Sequence, residues 1–173
     1  DRTQSDTITI TEKESSPTIT LSSSASSIAE NAGSSLTLTA TSSIVADEDI
    51  TVTISTSGTG TEGTDYGTIS DITISAGDTT GTASFTPTDD SVYEGNESPV
   101  VSITGVSGAD AAEDGTQSVT ITITENESSP TITLATSATS IAENAGTSLT
   151  LTATSSIVAD EDITVTIGTG GGG

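Results

Sequence analysis

Residues 15–54 of this chain recur almost unchanged as residues 128–167, with substitutions only at Ser22/Ala135, Ser23/Thr136, Ser26/Thr139 and Ser34/Thr147. The segment DTITITEKES (6–15) returns at the same spacing as VTITITENES (119–128). Self-similarity at a fixed offset is the signature of a tandem array of roughly 110-residue units, each packing mainly against its neighbours. The chain therefore reads as three pieces. Residues 1–16 are the C-terminal strand of a preceding repeat, 17–127 a complete repeat, and 128–173 the N-terminal part of a following one. The linker ENESSP is too short for free swivelling, and Pro130 stiffens it.

Within the complete repeat, apolar residues alternate with Thr and Ser at period two, as in SLTLTAT, DITVTI and SVTITIT. That pattern buries one face of a strand, and a disordered acidic segment has no reason to keep it. Seven strands are expected: A 18–22, B 35–42, C 49–56, D 68–75, E 80–87, F 99–106 and G 117–124. The inward positions are Ile19, Leu21, Leu36, Leu38, Ala40, Ile50, Val52, Ile54, Ile72, Ile74, Ala83, Phe85, Val101, Ile103, Val119, Ile121 and Ile123. Short alternating strands without a helical period predict an all-β fold, an immunoglobulin-like antiparallel β-sandwich in tandem array. Tyr66, Phe85 and Tyr93 are the only aromatics, so the core is thin, and Tyr66 and Phe85 are expected inside it. By the same logic 130–167 should supply strands A to C of the next sandwich.

Charge restricts the partners. The chain carries 25 acidic and 2 basic residues, a net charge of −23, and the basic pair, Arg2 and Lys13, precedes the complete repeat. Nucleic acid is excluded, since nothing here can replace counterions along phosphates. Cys and His are absent, which removes disulfides, thiol chemistry and His-based triads. A glycosidase is a poor fit without aromatic sugar platforms, and the terminal GTGGGG lacks the Lys and helix of a phosphate loop. No apolar stretch is long enough to insert in a membrane.

Topology then sorts the acids. Loops of a sandwich alternate between its two ends, so the A–B, C–D and E–F loops share an end with the exit of strand G. Glu30, Asp65, Asp89, Asp90, Glu94, Glu125 and Glu127 should converge there with no cation to pair with. Unpaired carboxylates brought together raise each other's pKa and destabilise the fold. They are either solvated loop acids or ligands of a hard divalent cation, and Ca²⁺, which takes six to eight oxygens from irregular loops, suits the set. The opposite end gathers Asp47, Glu48, Asp49, Asp78, Asp110, Glu113 and Asp114, which in a head-to-tail array face the preceding repeat. Glu125 and Glu127 would likewise approach Asp160, Glu161 and Asp162.

GTEGTDY (60–66), ITISAGD (72–78) and TDDSVYEGNES (88–98) together resemble the Calx-β domain, over about 17–127. This family occurs in sodium/calcium exchangers and in very large bacterial surface proteins. The resemblance implies a sandwich that binds Ca²⁺ at its distal loops. It implies Glu30, Asp65, Asp89, Asp90, Glu94, Glu125 and Glu127 as ligands, with Glu12, Glu14 and Glu143 as equivalents in the partial repeats. Where the exchangers end on Asp, this chain has Glu-Asn-Glu. The expected role is a non-catalytic, calcium-rigidified structural repeat in an extracellular stalk, adhesin spacer or filament, with neighbouring copies as partners and completing strands. An adhesion module that binds a ligand and a calcium-sensing regulatory domain are the alternatives.

Overall fold

The computed structural model describes residues 5–9 and 15–171. Its complete repeat is a β-sandwich. The first sheet has the strand order β6–β3–β1–β9, where β1 is Thr18–Ser23, β3 Leu36–Ser42, β6 Thr80–Phe85 and β9 Ala112–Glu113. The second has the order β10–β8–β4–β5, where β4 is Ile50–Gly58, β5 Ile72–Ile74, β8 Pro99–Ser107 and β10 Ser118–Thr120. Two short elements lie beside these sheets: β2, Ser27–Ala29, and β11, Thr122–Thr124, which pair in parallel. The seven expected strands A to G thus correspond to β1, β3, β4, β5, β6, β8 and the β10–β11 pair.

Alternation does what the sequence pattern requires. Leu36, Leu38 and Ala40 of β3 point inward between exposed or half-buried Thr residues, opposite Phe85, Ala83 and Gly81 of β6. Tyr66 and Phe85 are both buried and stack with ring centroids 5.0 Å apart, so the two largest fully buried side chains pack together in the core. Fourteen of the seventeen expected inward residues are buried. Ile54, Ala83 and Val119 pack against the core only in part. For Ile54 the cause is local: β4 and β8 slip register between Thr53 and Ile54, because β8 carries one residue more, Thr104. Such a bulge turns the strand and changes which residues face in.

Gly81 lets β6 of the first sheet pass close to β5 of the second. A Cβ there would lie 2.2 Å from the Thr73 carbonyl oxygen and 2.8 Å from Ile72 Cγ2, so only glycine fits.

The second copy of the repeated sequence behaves differently. Its hairpin, β12 (Ile132–Thr136) with β13 (Leu151–Ser155), reproduces the β1–β3 register, Ile132 facing Ser155 as Ile19 faces Ser42. Yet Leu134 and Leu151 are 55% and 53% exposed, where their counterparts Leu21 and Leu38 are 7% and 0%. The third strand expected there, over 163–167, does not form. In the complete repeat that strand, β4, is held between β5 and β8, and residues 128–171 contain neither. Residues 5–9 form no strand, and Ile8 is 86% exposed. Glu12 and Glu14 lie outside the described residues.

Candidate metal centre

One end of the sandwich is built from four segments, and each delivers an acid for a reason readable in the backbone. Sequence reasoning treated SIAENAG as a loop after the first strand. Instead residues Ser27–Ala29 form β2, which pairs in parallel with β11, and Ile28 of β2 enters the core. The parallel register sets Thr122 beside Ser27, Ile123 beside Ile28 and Thr124 beside Ala29. Continued by one residue, it places Glu30 beside Glu125, and the Glu30 N–H donates to Thr124 O at 3.0 Å.

The E–F connection supplies the next group. Asp90 Oδ1 accepts from the Val92 N–H at 2.7 Å, closing a turn before β7, Val92–Tyr93. The chain then turns at Gly95, whose φ of +78° favours glycine. This turn aims the Glu94 and Gly95 N–H groups at Glu125 Oε2, at 2.6 and 2.8 Å. Glu97 follows, its backbone paired with Ile123 in both directions. Asp65, 8% exposed, sits in the C–D connection, where its N–H donates to Thr61 O, immediately before the core residue Tyr66.

The result is a chain of carboxylates. Glu30, Glu125 and Glu127 form one group; Glu30, Asp90 and Glu94 a second; Asp65, Glu94 and Glu97 a third. In each group one oxygen from every residue lies within 4.8 Å of the others. Glu30 and Glu94 are shared, so the three groups run into one another. Six of the seven sequence-expected residues are therefore together. Asp89 is not among them: it is exposed and belongs to no group. Glu143, the counterpart of Glu30 in the partial repeat, is exposed and joins no cluster among the described residues. Glu97 was missed, although it stands three residues after Glu94 across the same glycine turn.

Electrostatics record the crowding. Burial, opposed by the Asp90 N–H and reinforced by Glu125 and Glu127, pushes Glu30 up to about 7. Burial, with the neighbouring Asp65 and Glu94, pushes Glu97 up to about 7 as well. Glu94 is raised by burial and by Asp65, Asp90 and, from the next repeat, Asp160. Glu125 goes the other way. Burial disfavours its charge, but hydrogen bonds from the Glu127, Glu94 and Gly95 N–H groups and from the Glu127 carboxyl hold it down at about 2. Glu127 is raised by that shared hydrogen bond with Glu125. Its Oε2 atom is buried with no hydrogen-bond partner.

The donor set fits a hard cation: all oxygen, drawn from irregular loops, with a buried carboxylate oxygen left unpartnered. No basic residue follows Lys13 in the sequence, so no side chain of the repeat can take the cation's place.

No family model and no curated protein matches the sequence. Solved structures do. Over 62% of this chain, the fold is similar to CBD12 from CALX1.2, at 17% identity and a TM-score of 0.53, spanning 43% of that chain. Over 64% of this chain it is similar to the apo form of the Calx CBD1 domain, at 18% identity and a TM-score of 0.52, spanning 99% of that chain. The β-sandwich has a Calx-β-like fold.

Proposed function

We propose that this chain is part of a calcium-binding, non-catalytic repeat array that acts as a stiff extracellular spacer, in a stalk or filament. The observation that carries the reading is the convergence of Glu30, Asp65, Asp90, Glu94, Glu97, Glu125 and Glu127, with Glu127 Oε2 buried and unpartnered. Glu30, Asp90, Glu94, Glu125 and Glu127 hold the ion or ions nearest the G-strand exit, and Asp65 and Glu97 extend the site. The bound cation supplies positive charge and oxygen coordination, which ties four loops into one rigid end. Its affinity for the native state alone adds to stability by mass action.

The spacer role is supported by copying. Four changes in forty aligned residues is the pattern of a unit selected for length and stiffness. No helix of the described residues is long and apolar enough to cross a membrane. An acidic, cysteine-free Thr/Ser-rich surface suits a calcium-rich extracellular setting, where neighbouring copies are the natural partners. Calorimetric titration of the metal-free chain with calcium tests the reading directly. Saturable binding that is lost or strongly weakened in Glu94→Gln is expected, because Glu94 belongs to two of the groups. Absence of binding at millimolar calcium overturns it.

A further inference from the structure

Identical sequence takes two conformations in this chain, and the difference points to a docking surface. The octapeptide SSIVADED occurs at 42–49 and at 155–162. In the first copy Val45 and Ala46 form no strand. In the second copy Val158–Ala159 is a strand, β14, paired in parallel with β7 of the complete repeat: Val158 faces Val92 and Ala159 faces Tyr93. The Asp160 N–H donates to Tyr93 O at 3.1 Å, and Ser129 Oγ meets the Tyr93 hydroxyl at 3.1 Å. What the second copy has, and the first lacks among the described residues, is a whole repeat on its N-terminal side.

The first copy keeps the same edge available. Ala46 turns its carbonyl toward the D–E turn, where it accepts from the Gly77 N–H at 2.9 Å. In extended backbone, successive residues point their N–H and C=O groups to opposite edges. The Asp47 N–H, the counterpart of the bonded Asp160 N–H, therefore points away from Gly77. The internal hydrogen bond and an external strand use different edges of the same segment.

We infer that consecutive repeats of this sequence engage head to tail by strand addition. The B–C loop of each repeat pairs with the Val92–Tyr93 segment of the repeat before it, and the Val45–Ala46 segment takes the corresponding strand of a preceding copy. The seam lies at the lip of the acidic cluster. β7 is bracketed by Asp90 and Glu94, and β14 is followed by Asp160, Glu161 and Asp162. A cleft of about 250 Å³ between the two repeats is lined by Tyr93, Glu94, Pro130, Ala159, Glu161 and Asp162. Among the described residues no basic side chain faces these acids, so like charges oppose the seam at short range. A divalent cation in the cluster offsets that repulsion, and docking and cation binding then favour each other reciprocally. This second half rests on the calcium reading; the docking itself does not.

Amide hydrogen exchange on the full chain separates the two, because Asp47 serves as an internal control for Asp160. With calcium, the Asp160 amide should exchange about tenfold or more slowly than the Asp47 amide, as expected for a locally hydrogen-bonded strand. In chelator its protection should fall toward that of Asp47. Equal exchange of the two amides in both conditions overturns the docking. Protection of Asp160 that is the same in chelator, in a chain that binds calcium, overturns the coupling and leaves the docking standing. Protection of Asp160 in a chain that binds no calcium refutes the calcium reading alone.

Discussion

Glu30→Gln should change sign with the solvent. Glu30 is 5% exposed, and burial together with Glu125, Glu127 and Asp90 raises its pKa from 4.5 to about 7. At pH 8 without divalent cations, holding that carboxylate ionised costs stability. A shift of that size corresponds to an upper value of about 3 kcal/mol, at about 1.4 kcal/mol per unit. Glutamine removes the charge and keeps a carbonyl that can accept from the Asp90 N–H, now 3.2 Å from Glu30 Oε1. The variant should therefore be more stable than the parent in chelator, by about 1–3 kcal/mol. At saturating calcium the order reverses. The parent gains about 2.7 kcal/mol when free calcium is a hundredfold above Kd, and the variant, short of one ligand oxygen, gains less. Urea unfolding of both proteins at pH 8, in chelator and in millimolar calcium, measures the crossing. A variant less stable than the parent in chelator refutes the electrostatic argument. A variant that keeps the full calcium response removes Glu30 from the site.

Phe85→Ala should cost about 3–5 kcal/mol, a large share of the stability of so thin a core, and unfolding curves will show it as a lowered midpoint or as loss of the transition. Gly81→Ala should destabilise the repeat more than a surface Ala substitution, because its Cβ would meet the Thr73 carbonyl at 2.2 Å; equal stability would mean that the sheets can part there at no cost. Without divalent cations, stability should rise as pH falls from about 7 to 4.5. Glu30 and Glu97, with folded pKa values above the unfolded value, bind protons in the native state first. It should fall again below 4.5, as Glu125, depressed to about 2, loses its charge more readily in the unfolded chain. A chain most stable at neutral pH in chelator would contradict these assignments.

Strand positions were legible because period two survives in Leu36-Thr-Leu38-Thr-Ala40 and its equivalents, and the end-sorting of acids follows from strand direction alone. The features that escaped depend on pairing, which alternation does not encode. β2 is three residues long, too short to show a period, yet its parallel register with β11 is what sets Glu30 beside Glu125. Ile54 has the right spacing for the core but lies beyond the bulge at Thr104. Glu97 was overlooked because it lies two residues before β8, and only its backbone pairing with Ile123 brings it to the cluster. Asp89, expected from the sorting of loop acids and from the resemblance, joins none of the three carboxylate groups, although its charge reaches Glu127. Residues 163–167 repeat the first five residues of β4 without forming a strand, which fits a strand made by its neighbours β5 and β8 and not by local propensity alone.

Thermal unfolding of the full chain, in chelator and across a calcium titration at fixed ionic strength, is the decisive measurement for a cation at the acidic end. The midpoint should climb with calcium and keep rising logarithmically beyond saturation, as linkage to the native state requires. Matched sodium chloride, which only screens, should produce a much smaller rise. Identical melting in chelator and in millimolar calcium would contradict the claim that this acidic end is a cation site.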